Sequence, residues 1–181
     1  MPTPEKTSLT RIVAAGRDLL EAGGRQGLTM QRVAERVGVR APSLYKHVSN
    51  RAALLTAVAV ATLDDLIALL ESTDGSLEEL ARCYRRFAET RPEGFRLINS
   101  PYAPPEALAR AAAPVLRASG ELVGEREALD AARLLTAWLT GFIGMELNGA
   151  FRLGGDIDRA FAYGLAGMRR ALTGGQQAPP V

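Results

Sequence analysis

Residues 28–54 read LTMQRVAERVGVRAPSLYKHVSNRAAL, and the spacing within this stretch decides the fold. Thr29 suits the cap of a short helix, because its hydroxyl can accept from an amide of the first turn. Val33 and Val37 then recur one turn apart on a buried side. Gly38 closes that helix, since glycine accepts the left-handed backbone that a helix C-terminus calls for. A second short helix is expected over 41–47, with Pro42 in its first turn, where no amide donor is required. Two short helices joined by a turn of three or four residues make a helix-turn-helix. In that arrangement Val33, Ala34, Val37, Val39 and Leu44 pack the pair together, and Ala34 is small where the helices cross. Arg40, Ala41, Pro42, Ser43 and Lys46 then face outward, as a helix entering a major groove requires.

Working outward, apolar residues keep helical spacing and no period-two alternation appears. Leu9, Ile12, Val13, Leu19 and Leu20 form the stripe of a helix over 9–22, which Gly23-Gly24 should stop. Ser49-Asn50 cap a long helix carrying Leu54, Leu55, Val58, Leu63, Leu66, Ile67 and Leu70. Ser76-Leu77-Glu78-Glu79 is a capping box that opens another helix, ended by Pro92. Short helical pieces are expected around Phe95 and Tyr102. Pro104-Pro105 opens a helix to about Ala118, which Pro114 should bend or split. One long helix is expected over 125–152, and Asp156 caps a last one to about Leu172. The reading is an all-α chain of about nine helices: a helix-turn-helix domain over 1–50, a helical domain over 51–172, and a disordered tail over 173–181.

The composition, 47% hydrophobic and 23% charged over 181 residues, suits a chain that buries a core. Residues 1–51 hold nine Lys and Arg against four Asp and Glu, a net +5, whereas the remainder holds 13 against 16, a net −3. A basic head on a mildly acidic body fits a polyanion partner. His47 and Cys83 are the only residues of their types, which excludes an intramolecular disulfide, a cysteine zinc cluster and most histidine-based chemistry. No HExxH, Gly-rich phosphate loop or GxSxG elbow is present, so no enzyme, cofactor or metal is expected. No apolar run is expected to reach the roughly 20 residues of a bilayer span. The first residues lack an apolar signal core, so the expected location is the cytoplasm, with no membrane partner.

The stretch resembles the DNA-binding domain of the TetR/AcrR family, whose pattern is roughly T-x-x-x-[IVL]-A-x-x-x-G-V-s-x-x-x-[LI]-Y-x-H-F followed by a basic residue. Thr29, Val33, Ala34, Gly38, Val39, Leu44, Tyr45 and His47 match in register over about the first 60 residues. Arg40 stands where the family often has a small capping residue, Val48 replaces an aromatic, and Arg51 replaces a lysine. The resemblance implies a double-stranded DNA operator as partner. It implies phosphate contacts from Tyr45, His47 and Arg51, with Thr29 as a cap or phosphate contact. It places base-edge contacts among Arg40, Ala41, Pro42, Ser43 and Lys46. Read on the residues alone, the alternatives are a core aromatic with its hydroxyl at the rim for Tyr45, a helix cap for His47 and a solvated turn residue for Arg40.

Every aromatic except Tyr45 lies after residue 83, which fits a packed core or a ligand cavity. Residues 137–147 are similar to the family's C-terminal domain type with a W-x-x-x-H-G-like signature, although the histidine is absent here. The family reading is a homodimeric repressor released by an unidentified small-molecule effector. The effector is expected to be mostly apolar, held near Phe87, Phe95, Ile98, Asn99, Tyr102, Trp138, Phe142 and Met145, with Thr140 or Glu146 as further polar partners. The homodimer is expected through residues 125–172, with Leu134, Leu147, Phe151, Phe161 and Leu165 as apolar candidates. For Glu146 solvent, an interface ion pair and an effector contact remain alternatives. An architectural DNA-binding protein without a ligand is the competing function.

Overall fold

The computed structural model describes residues 8–174, and among them it contains nine helices and no strand. They are α1 (Leu9–Gly27), α2 (Met30–Val37), α3 (Ala41–Leu44), α4 (Arg51–Glu71), α5 (Leu77–Thr90), α6 (Pro92–Ile98), α7 (Pro105–Val123), α8 (Ala128–Leu147) and α9 (Ile157–Gly174). The chain divides into two compact units: residues up to 66 together with 91–109, and 67–90 together with the remainder from 110. Within the first unit α6 packs with α1 from far along the chain.

The first unit is built on one buried cluster, to which α1 contributes Ile12, Leu19 and Leu20, α2 contributes Val33, Ala34 and Val37, and α4 contributes Leu54, Leu55 and Val58. Gly16 allows α1 and α4 to approach closely, because a Cβ there would lie 2.9 Å from Val58 Cγ2. Gly23-Gly24 was expected to stop α1. Instead Gly24, at φ 60°, breaks the helix locally and one further turn follows to Gly27. Asn50 caps α4 as expected, its Oδ1 accepting from the Ala53 amide at 2.9 Å.

Several helix ends differ from the sequence reading. α3 stops at Leu44, and the chain to His47 is a turn in which the His47 amide reaches the Leu44 carbonyl at 2.8 Å. α7 runs unbroken through Pro114 to Val123. α8 spans 128–147 rather than 125–152, ended by Gly149 at φ 61°, where the Ala150 amide turns back to the Met145 carbonyl. Tyr102 lies in a turn, not a helix. α9 extends to Gly174, so Thr173 and Gly174 are helical rather than tail. The rest of the expected disordered tail, 175–181, lies outside the described residues.

The expectation about apolar runs is also corrected: α4 is long and apolar enough to cross a bilayer by length and composition. Within the first unit, that composition serves the core, where Leu54, Leu55, Val58, Ala59 and Leu63 are fully buried.

In the second unit α5 packs on α8 and α8 on α9. Trp138 stacks on Phe161 with ring centres 5.6 Å apart, and Phe142 meets Phe161 edge-on at 5.3 Å. Gly164 lies under the indole, where a Cβ would come within 2.3 Å of Trp138 Cζ2. Phe161 and Leu165 are thus buried inside the chain's own core, which corrects their assignment to a dimer surface.

Candidate nucleic-acid interface

Thr29 has extended backbone angles, and its hydroxyl accepts from the Arg32 amide at 3.3 Å, so it caps α2 as the sequence implied. Gly38 ends α2 at φ 80°, its amide reaching the Ala34 and Glu35 carbonyls. That sharp stop leaves room for only Val39 and Arg40 before α3 begins. Arg40 is the N-cap of α3 in position but makes no capping bond with its side chain, which leaves its guanidinium pointing outward and exposed.

α3 is held from below. Leu44 and Val48 are buried in the cluster that α1, α2 and α4 build. These two anchor the inner side, and half-buried Ala41 packs against the same cluster, whereas Arg40, Pro42, Tyr45 and Lys46 are exposed and Ser43 and His47 half-buried. Tyr45 is 54% exposed, a state suited to a hydroxyl reaching a backbone phosphate. Among the described residues neither Arg40 nor Lys46 is in an ion pair, so both charges remain available to a polyanion. The structure therefore brings Arg40, Ala41, Pro42, Ser43, Tyr45, Lys46 and His47 onto one short stretch, with Thr29 at the head of the supporting helix.

Arg51 is placed differently. Its Nε donates to the Leu28 carbonyl at 2.8 Å and its second terminal nitrogen donates to the Arg25 carbonyl. Arg32 donates to the Gly27 carbonyl at 3.0 Å. These backbone contacts carry no sequence signal, since the acceptors are main-chain atoms brought close by folding.

Sequence reasoning also missed a second polar joint in this unit. Glu21 of α1 caps α6, its two carboxylate oxygens accepting from the Glu93 and Gly94 amides at 3.1 and 2.8 Å. Asp65 of α4 pairs with Arg17 and with Arg91, the latter at 3.6 Å.

The candidate effector residues fall in both units. Phe95, Ile98, Asn99 and Tyr102 belong to the first; Phe87, Trp138, Phe142 and Met145 belong to the second. Phe87, Phe95 and Ile98 are buried, Tyr102, Trp138 and Phe142 half-buried, and Asn99 and Met145 exposed. Thr140 lies 3.3 Å from the Tyr84 hydroxyl. Glu146, for which three roles were open, makes an intrachain pair: both its oxygens accept from Arg85, at 2.9 and 2.5 Å, and Arg85 also meets Asp158 at 2.7 Å. The Glu146 and Asp158 carboxylates hold the Arg85 guanidinium above its ordinary pKa, and its charge lies 4.8 Å from the Phe161 ring centre. Burial pushes the Cys83 thiol up. Among the described residues no group of three or more metal-ligating side chains comes together.

Comparison with known proteins agrees with this geometry at both ends of the chain. Residues 12–58 match the model of the bacterial regulatory proteins of the tetR family, and residues 77–168 match the tetracyclin repressor-like C-terminal domain. An uncharacterised helix-turn-helix transcriptional regulator of Mycobacterium tuberculosis is 31% identical over 192 residues, covering 95% of this chain and 86% of the relative. A TetR regulator from Streptomyces coelicolor has the same fold at a TM-score of 0.77 and 19% identity, over 93% of this chain and 98% of that one. A TetR variant from Acinetobacter baumannii, solved in complex with minocycline, superposes at 0.73 and 24% identity, over 95% and 99%. The helix-turn-helix match, the C-terminal match that follows it and the near full-length relative place this chain in the TetR family of DNA-binding bacterial transcription regulators.

Proposed function

We propose that the chain acts as a homodimeric repressor, holding a roughly palindromic operator through α3 and releasing it when a mostly apolar small molecule binds the C-terminal half. The observation that carries the DNA half is the exposed set Arg40, Pro42, Tyr45 and Lys46 on and beside α3, which buried Leu44 and Val48 anchor. Arg40 and Lys46 supply charge and base-edge donors, while Tyr45, His47 and the Thr29 end of α2 fix the register on phosphates. Two-fold symmetry of the dimer demands two inverted half-sites.

Support for the effector half is the tetracyclin repressor-like C-terminal domain and the partly exposed rings of Trp138 and Phe142. The minocycline bound by the Acinetobacter baumannii protein makes a fused-ring compound the first to try. α4 starts beside α3 and continues out of the first unit, so it is the covalent path by which a filled site alters the recognition helices. A hundredfold loss of operator affinity needs only about 2.7 kcal/mol of coupling.

The test is enrichment of duplexes from a random-sequence pool, followed by competition binding. Two inverted half-sites in the enriched duplex support the reading; equal binding to enriched and random duplexes defeats it. A thermal-shift screen that includes minocycline, followed by operator binding with each hit, tests the switch. Unchanged operator affinity with saturating hit leaves a constitutive DNA-binding protein.

A further inference from the structure

We propose that Arg51 serves DNA binding as a positioning residue, clipping the backbone from which α2 and α3 start, and is not itself a phosphate ligand. The inference rests on α3 being the DNA-reading helix and assigns what holds it in place.

The argument begins with Gly23 and Gly24. Their non-helical angles detach the last turn of α1, residues 25–27, from the helix before it. A helix end leaves carbonyls without donors, and these carry the negative end of the helix dipole. Here three such carbonyls, of Arg25, Gly27 and Leu28, are taken up by two guanidinium groups, Arg32 from α2 and Arg51 from α4. Leu28 is fully buried and the next residue, Thr29, is the N-cap of α2. Fixing the Leu28 carbonyl therefore fixes the first turn of α2, and α2 packs directly on α3. Arg51 is also the first residue of α4, so one side chain ties the start of α4 to the end of α1 and the head of α2. The rigid fork of a guanidinium can hold two carbonyls at once, whereas a lysine ammonium on its flexible stem lacks that geometry. Two of the five guanidinium N–H groups are held by main-chain acceptors, so the fork is oriented by the end of α1 and the head of α2.

Phosphate ligands and positioning residues differ in salt dependence. Each phosphate contact adds roughly 0.9 to the slope of log affinity against log salt, and a residue acting through the backbone adds nothing. The wild-type chain is used to enrich a duplex from a random pool, and binding of that duplex is followed by fluorescence anisotropy across a salt series. Arg51→Lys and Arg51→Gln are each expected to weaken binding about tenfold, or ~1.4 kcal/mol, with the wild-type slope retained. Hydrogen exchange of the amides of residues 29–34 is expected to speed up in both. Near wild-type affinity for Arg51→Lys, or a flatter slope for Arg51→Gln, overturns the proposal. Should the glutamine variant not fold, the lysine variant decides by affinity and exchange alone. A wild-type chain that enriches no duplex overturns the DNA reading with it, whereas an unchanged lysine variant on a good duplex overturns only the clip.

Discussion

Arg85 and Glu146 are 13% and 18% exposed, while Asp158, which shares the same guanidinium, is 84% exposed. Water decides what each contact is worth. Glu146 makes the better-buried, two-point contact, so Glu146→Gln is expected to destabilise the chain by about 2 kcal/mol, with Glu89 and Asp158 still left to the guanidinium. Asp158→Asn is expected to cost less than about 1 kcal/mol, since water screens and replaces it. Urea unfolding of the two variants checks the contrast, and equal losses would refute it. A second contrast separates two glycines. Gly164→Ala drives a methyl group into Trp138 and is expected to cost about 1–3 kcal/mol in the same assay. Gly141 has open space around a Cβ, so Gly141→Ala is expected to gain up to about 1 kcal/mol in helix propensity within the single chain. Such differences were not legible in sequence. Glu146 lies alone on an apolar helix and its partner is 61 residues away, so periodicity names no mate for it. Thr29, Gly38 and Leu44 were legible, because their roles are set by neighbours within a few residues.

At the level of elements, local chemistry told where helices begin far better than where they end. Asn50, Ser76 and Asp156 cap α4, α5 and α9 by bonds to amides three residues on, and a cap is a short-range signal. The end of α8 depended on giving weight to Gly149 over the apolar residues beyond it, and the continuity of α7 on Pro114 being tolerated inside a helix. The junction of α1 with α6 had no local signature at all, since Glu21 and Gly94 are 73 residues apart. It nonetheless fixes α6, because a carboxylate on two free amides satisfies donors that the seven-residue helix cannot. Glu21→Ala is expected to destabilise the chain by about 1 kcal/mol, the usual size for a lost cap. It should also speed hydrogen exchange at the Glu93 and Gly94 amides more than at α2. Uniform exchange changes across the first unit would mean that Glu21 is a general packing residue rather than the cap of α6.

For the molecule as a whole, the remaining step is from one chain to two. The palindromic operator proposed above needs a second copy, and the surface we propose for it lies on α8 and α9. Leu134, Met145 and Tyr163 are exposed there, at 48%, 48% and 75%. Gly141 and Gly144 on α8 meet nothing within 4 Å of a Cβ position. Glycine in a helix costs about 1 kcal/mol against alanine, a cost that close approach of another helix would offset. The buried Phe161 and Leu165 face the other way, which leaves this outer row for a partner. Gly141→Leu with Met145→Glu should therefore leave the unit folded, because neither site supports its own core. The same pair should prevent a second copy from docking, through steric overlap and an unpaired buried charge. Light scattering at micromolar concentration is expected to give a dimer for wild type and a monomer for the double variant. Operator affinity should fall with it, because each monomer then holds one half-site without the effective concentration that pairing supplies. Gly164→Ala makes the control: it disturbs Trp138 inside one chain and should change stability before it changes assembly. A wild-type monomer, or a dimer that survives both outer substitutions, would place the second copy elsewhere and remove this face from the account of operator symmetry.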